Sequence, residues 1–398
     1  MQNHSTAQAS YHGEAMPIFR LAFGTGLLAL ITVGIYRFWG KTRLRQYIWS
    51  SSRLDGDAFE YTGTGLEKFL GFLVSVVVLA VYLAVVQLIL FSFGLRFIVD
   101  PRTEAEVIAQ LIVIYSTFIA LLPLMFFAGY RARRYKMART RFRGIRFGME
   151  NAAGGYVWRA VLLLGVTILS LGLLAPLMRF RLEKYMTDRM MYGDARMVQG
   201  GSWTGLYGAM THVFIGLGLL VAAVLSGVAE IAPLAILFGA VGYVWVIVGV
   251  IVYQVQGFAY LTNHKSLGQG VGFTATPNTG TIIWRYIVGG FKISLLVSVV
   301  GGILAAIAAG VLQNAGGFEP GVQPPVGLLA VSALAYLVVL VFVAALSLAL
   351  ITQPILAHMI SQTTVKNIAA LSVIRQRATD KGADAEGFAD ALDIGGAF

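Results

Sequence analysis

The chain has 398 residues, of which 57% are apolar and 12% charged, with 46 glycines, no cysteine and a formal net charge of +11. A soluble globular chain averages roughly 45–50% apolar and 25% charged residues, so this composition excludes that class and points to a bilayer. The absence of cysteine excludes disulfides and thiolate metal sites. A basic excess flanking apolar runs reads as a topological signal, not as a nucleic-acid footprint.

Residues 1–17 contain no Lys or Arg. The basic start of a secretory signal is missing there, so the first apolar run is expected to be retained. Eight apolar runs follow, at about 21–36, 69–94, 107–130, 156–178, 206–229, 231–253, 283–312 and 327–352. Crossing about 30 Å of hydrocarbon takes roughly 20 helical residues, and the clean core of the first run, "LAFGTGLLALITVGIY", supplies only about 24 Å. Cations crowd three inter-run segments. Arg37, Lys41, Arg43, Arg45, Arg53 and Lys68 follow run one; Arg131, Arg133, Arg134, Lys136, Arg139, Arg141, Arg143 and Arg146 follow run three; Arg179, Arg181, Lys184, Arg189 and Arg196 follow run four. Lys and Arg in short loops mark the cytoplasmic side. Eight plain crossings cannot put all three segments there.

An internal repeat resolves the conflict. "RLRQYIWSSSRLDGDAFEYTG" at 43–63 and "RARRYKMARTRFRGIRFGMEN" at 131–151 align without a gap, setting Arg43, Arg45, Tyr47, Arg53, Gly56 and Phe59 on Arg131, Arg133, Tyr135, Arg141, Gly144 and Phe147. "TVGIYRFWGKTRLRQY" at 32–47 likewise aligns with "SLGLLAPLMRFRLEKY" at 170–185. Equivalent segments in equivalent places put the loop after run four on the same side as the loop after run one. Runs one and four are therefore expected to be re-entrant or broken helices. Their bends fall at Thr32, Gly34, Ser170 and Gly172, where Gly permits the turn and a hydroxyl satisfies a released carbonyl.

The fold expected is an all-α polytopic membrane protein with six transmembrane helices, two re-entrant or broken helices, and an internal parallel repeat. Small β-hairpins and interfacial amphipathic helices such as "TRLRQYIW" sit on its cytoplasmic face. The hairpin signal is "LDGDAFEYTGTG", an Asp-Gly pair before alternating aromatics. A third copy of the turn, with Gly270 and Phe273, is weaker, and a fourth near Thr364–Leu371 is faint. Several such hairpins are expected to form a small cap, since a lone one is marginal in water. The divisions are a mobile segment 1–17, membrane repeats 18–130, 131–260 and 261–358, and a tail 359–398, with both termini cytoplasmic.

"TVGIYRFWGKTRLRQYIW" followed by "LDGDAFEYTGTG" resembles the YjgN-like family of bacterial inner-membrane proteins. The match is good over 19–70, recognisable to about 205 and diffuse beyond, with Val33 where the family commonly has Leu. The resemblance implies a bacterial inner-membrane location and, since no activity is assigned to the family, transfers no catalytic residue.

Candidate sites are few. Arg43, Arg45, Arg131, Arg133, Arg181 and Lys184 are placed to meet anionic headgroups, each cation near such a surface being worth about 1 kcal/mol. His212, Arg285 and Lys292 lie inside apolar runs, where an ionisable group is a functional candidate and also an ordinary snorkelling or hydrogen-bonded one. "GTG" at 63–65 lacks the spacing and Lys-Ser/Thr ending of a phosphate loop. No nucleophile elbow or H-E-x-x-H appears. Neither catalysis, a metal nor a cofactor is expected. Partners expected are membrane lipids, with a second copy or another protein as the alternative and no nucleic acid. The function read from the sequence is a transporter or channel-like protein for a small solute or lipid-like substrate. The alternative is a non-enzymatic structural or regulatory protein whose basic arms bind lipid or a partner.

Overall fold

The computed structural model describes residues 6–268, 270–314 and 326–377. Strand β1 (Thr6–Tyr11) leads into two helices, α1 (Ala15–Ile31) and α2 (Arg37–Ser51), which return to a tight hairpin, β2 (Ser52–Leu54) and β3 (Asp57–Tyr61). Helices α3 (Gly65–Ser92) and α4 (Glu104–Ala138) then bring the chain to β4 (Thr140–Phe142) and β5 (Ile145–Met149). The pattern continues through α5 (Ala153–Leu169), α6 (Ala175–Thr187), β6 (Met190–Tyr192) and β7 (Ala195–Gln199), then α7 (Tyr207–Val228), α8 (Ala232–Asn263), β8 (Lys265–Leu267) and β9 (Val271–Ala275). It ends with α9 (Thr279–Asn314), α10 (Val326–Ser347), a π-helical turn, α11 (Gln353–Ser361) and β10 (Thr363–Lys366). Each β-turn sits where the sequence offers residues tolerant of positive φ. Asp55 and Gly56 take 53° and 83°, Arg143 and Gly144 take 48° and 75°, the two successive left-handed residues of a type I′ hairpin.

All ten strands pair antiparallel in one ring, β1-β10-β9-β8-β7-β6-β5-β4-β3-β2, closed between β2 and β1. The seam joins the first and last strands, with Ala7 opposite Val365. This corrects the all-α expectation: the strands expected to form a small cap close into a β-barrel. The physical reason is edge satisfaction. Strands of three to six residues leave unpaired N–H and C=O groups on every hairpin, and closing the ring removes all edges. The segment "TRLRQYIW" belongs to α2, which returns to the barrel as one arm of a helical hairpin.

The architecture is thus a pseudo-fivefold ring, in which five helical pairs each leave the barrel from one strand and return to the next. A repeated clasp closes the foot of each pair. Tyr47, Tyr135, Tyr185, Tyr260 and His358 stand five residues before Ser52, Thr140, Met190, Lys265 and Thr363, the first residues of β2, β4, β6, β8 and β10. Tyr47 Oη accepts from the Glu14 N–H at 2.8 Å, Tyr185 Oη donates to the Ala152 carbonyl at 3.0 Å, and Tyr260 Oη accepts from the Ser202 N–H at 2.9 Å. His358 Nε2 accepts from the Asn278 N–H at 3.0 Å, and Tyr135 Oη donates to Glu67 Oε2 at 2.9 Å. The shared register accompanies the recurring basic-Tyr segment: each copy reaches the start of its own pair, and in three of the five (Tyr47, Tyr260 and His358) the ring accepts from a backbone N–H there.

Among the described residues six helices are long and apolar enough to cross a bilayer, Gly65–Ser92, Glu104–Ala138, Trp203–Val228, Ala232–Asn263, Thr279–Gln313 and Val326–Ser361. The other two pairs are short. α1 has 17 residues and reaches about 25 Å from the barrel, whereas α3, with 28, reaches about 42 Å. The short pairs turn at residues with positive φ, Val33 (50°) with Gly34 (87°) and Leu171 (51°) with Gly172 (86°). Thr32 Oγ1 donates to the Leu28 carbonyl at 2.8 Å and accepts from Tyr36 N–H at 2.9 Å; Ser170 Oγ donates to Thr167 O at 3.0 Å and accepts from Leu174 N–H at 3.1 Å. One hydroxyl therefore bridges the end of one helix to the start of the next in both copies.

Segments 1–17 and 359–398, set apart in the sequence, contribute β1 and β10 to the barrel. The outer link at 315–325 and the tail from 378 lie outside the described residues.

Candidate functional site

Alternate residues of each strand face the barrel axis. Leu54, Phe142, Tyr192, Leu267, Val271 and Val365 form the buried lining, with Phe59, Phe147, Met197 and Phe273 packed against it. Phe59 and Phe142 stack at 4.7 Å, as do Phe147 and Tyr192 at the same centroid distance in a tilted geometry. The Tyr192 hydroxyl donates to the Phe142 carbonyl at 2.9 Å; burial pushes its pKa up to about 12 against the opposing pull of Arg143.

These side chains do not fill the barrel. With Ile48, Trp49, Met137, Phe258, Leu356, Met359 and Ile360 from the helix feet they line a partly open chamber of about 630 Å³. A volume of this size lies within the roughly 300–1,000 Å³ of small-molecule sites. The lining is aliphatic, aromatic and thioether nearly throughout, with Ser52, Arg53, Thr140 and Thr363 as its polar members. At the opposite mouth, residues after β10 fold inward. Ile368, Leu371 and Ile374, in and beside a 3₁₀ turn, join the barrel core. The segment is tied across the mouth: Arg375 N–H donates to Asp194 Oδ1 at 3.1 Å, Arg377 Nη2 donates to the Gly193 carbonyl at 2.7 Å, and Gln376 Oε1 accepts from Arg146 N–H at 2.8 Å.

Beside the chamber lies a charged layer. Glu183 on α6 binds Arg133 on α4 through two contacts of 2.6 and 2.9 Å, and Lys265 at the start of β8 reaches Glu183 Oε1 at 2.7 Å. Burial alone would raise the Glu183 pKa, but Arg133 and Lys265 together hold it well below the usual carboxylate range. A second cavity of about 330 Å³ opens here, lined by Arg179, Leu182, Glu183, Met186, Phe258, Leu261, Thr262 and Lys265. Phe258 lines both cavities and is the side chain between them.

The six cations selected from the sequence separate into two groups. Arg43 and Arg181 are exposed, and Arg131 is half-buried with its guanidinium 5.6 Å from the Phe127 ring. Arg45 is fully buried and donates to Tyr61 Oη at 3.2 Å, Arg133 is held by Glu183, and Lys184 Nζ donates to the Gln199 carbonyl at 2.6 Å beside Asp188 at 3.0 Å. The intramembrane candidates line none of these cavities. His212 lies 6.0 Å from the Trp245 ring, Arg285 is half-buried, and Lys292 is exposed on α9. Sequence reasoning missed Arg179, Glu183, Phe258, Lys265 and the residues that plug the mouth. One signal was present. In the aligned copies Glu183 falls on Arg45 and Arg133, and a sign reversal at a repeated position marks a pair between copies.

The family of bacterial proteins of unknown function DUF898 matches residues 6–295. The chain belongs to this family. Among curated relatives, inner membrane protein YjgN of Escherichia coli O157:H7 is 24% identical over 148 residues, 37% of this chain and 32% of the relative. YjgN of Salmonella typhimurium strain LT2 is 26% identical over 141 residues, 35% of this chain and 30% of the relative. The aligned stretch thus spans about a third of those proteins. No solved structure matches. These relatives are named inner membrane proteins, and the six membrane-length helices among the described residues make this chain, too, a multi-pass membrane protein.

Proposed function

We propose that this DUF898 protein is a non-enzymatic carrier that takes a lipid-like molecule from the inner leaflet and holds its apolar part in the barrel chamber. The single observation that carries this reading is the chamber itself, about 630 Å³ with an almost wholly apolar lining at the foot of a membrane bundle. An inorganic ion or sugar would lose its hydration there without recovering hydrogen bonds, at a cost of several kcal/mol. A hydrocarbon chain gains about 0.8 kcal/mol per buried CH₂. A third cavity of about 470 Å³ between α1, α9 and α10, lined by Phe23, Val300, Leu304, Val331 and Phe342 among others, is also apolar and faces the bilayer region.

The proposed threading puts the barrel and both ends of the chain in the cytoplasm. Three long helical pairs cross and return, and the two short pairs dip into the leaflet and come back. The turns of the short pairs support this. Val33 is 92% and Leu171 90% exposed on the protein surface, a placement that suits lipid and not water. Single cysteines introduced at Ala153 and Ser202 are expected to resist a membrane-impermeant thiol reagent in intact cells equally; labelling of Ser202→Cys alone would make α5 a crossing.

The chamber is tested with 12-pyrenyl-dodecanol and purified full-length protein in detergent, read by energy transfer from Trp49 after the other five tryptophans are changed to Phe. Saturable binding of about one probe per chain is expected. Ala9→Phe, which fills the lining from β1 without adding a second donor, is expected to weaken it by about tenfold, or ~1.4 kcal/mol. Transfer that never saturates and ignores Ala9→Phe would remove the reading.

A further inference from the structure

We propose that the cavity beside Phe258 is the headgroup site of the same ligand, and that it selects an anion, a phosphate or carboxylate carried on an apolar chain. The inference rests on the carrier reading for the chain and adds the chemistry of the head.

Charge is the first argument. Arg179 and Lys265 line this cavity together with a single carboxylate, Glu183. That carboxylate is already shared, since Arg133 holds both of its oxygens and Lys265 one of them. Arg179, half-buried, is the second cation on this wall. Among the described residues its hydrogen bonds go to carbonyls and not to a carboxylate: Nη1 donates to the Tyr253 carbonyl at 2.8 Å and Nη2 to the Gln254 carbonyl at 3.3 Å, with the guanidinium 4.5 Å above the Tyr253 ring. A guanidinium presents a planar fork suited to oxyanions.

Geometry is the second. The guanidinium of Arg179 lies against Gly257, where an added Cβ would come within 2.5 Å of Nη1. Glycine at that point of α8 lets the cation sit flat on the helix at the cavity wall. Tyr253, Tyr260, Trp203 and Leu206 pack around Phe180 nearby, an aromatic cluster of the kind that settles at headgroup depth. Phe258 then separates a cationic compartment from an apolar one, the two halves an amphiphile needs. Rotation of that one ring is the movement that would let a chain pass between them.

The test compares three probes on the protein with Trp49 as sole tryptophan: 12-pyrenyl-dodecanol, 12-pyrenyl-dodecanoic acid and 12-pyrenyl-dodecyl phosphate. Inorganic phosphate serves as a competitor without a chain. The two anionic probes are expected to bind about tenfold more tightly than the alcohol, an advantage falling as salt rises. Arg179→Gln and Gly257→Ala are each expected to abolish that preference and leave alcohol binding unchanged. Equal binding of alcohol and anions by the wild type overturns the headgroup site and leaves the chamber standing. Binding of none of the three overturns the carrier reading itself. Displacement of the anionic probes by inorganic phosphate at concentrations equal to theirs would mean that the site takes a free anion, and would overturn the assignment to an amphiphile.

Discussion

Glu183→Gln is expected to be the most destabilising single polar substitution in the protein, lowering stability by about 3–5 kcal/mol. The wild-type carboxylate answers two cations at once, with Arg133 24%, Lys265 18% and Glu183 17% exposed at the side chain. A neutral amide leaves both cations in that setting without a counter-charge. The measurement is thermal unfolding of the purified protein in detergent. The double variant Arg133→Leu/Glu183→Leu is expected to be less damaged than Glu183→Gln, because removing both members of a buried pair avoids the unpaired charge. The sign of the pH dependence follows from the direction of the shift. A carboxyl whose folded pKa is depressed contributes stability that is present above its unfolded value near 4.3 and is lost as pH falls toward the folded one. The gap between wild type and Glu183→Gln is therefore full at neutral pH and narrows only below about pH 4. A pH-independent gap, or one under ~1 kcal/mol, would show that Arg133 and Lys265 are served by solvent.

Truncation after Lys366 is expected to unseal the chamber without dissolving the ring, because β10 ends at that residue and keeps its pairing with β1 and β9. The deletion removes Ile368, Leu371 and Ile374 from the barrel core, each worth about 1.5–3 kcal/mol of burial. Iodide quenching of Trp49, which lines the chamber, is the readout. A several-fold rise in quenching is expected on truncation, and a smaller rise for Leu371→Asn, which keeps the Asp194 and Gly193 ties but puts an amide among apolar neighbours. Unchanged quenching in both would mean that the mouth is closed by the barrel side chains alone.

Local features of this fold could be read from the chain because they rest on local chemistry. Thr32 and Gly34, with Ser170 and Gly172, combine a capping hydroxyl and a residue tolerant of positive φ within three positions, and the helices end there. Asp55-Gly56 marks its own turn. Ring closure could not be read in the same way. β1 is "TAQASY" and β10 is "TTVK", segments with little β-branched or aromatic bias on the first and no hairpin turn between them, paired across almost the whole sequence. Strands this short carry too few residues for an alternation signal, and closure is a property of the set. The candidate site was hidden for a related reason. Arg45, Arg133 and Glu183 look alike as polar positions on three helices, and only the approach of α4 to α6 turns two of them into an ion pair. Lys265 stands in a segment where the repeat is weak, and Arg179, which falls on Lys41 in the aligned copies, reads there as one more topological cation.

The seam between β1 and β10 has a consequence for biogenesis. A ribosome delivers β1 at the outset and its neighbour β10 only after eight other strands and every helical pair have emerged. Throughout synthesis the nascent arc keeps two open edges, each a template for another chain. Completion of the cylinder thus requires all five helical pairs, and a chain that lacks β10 is left with an unprotected rim.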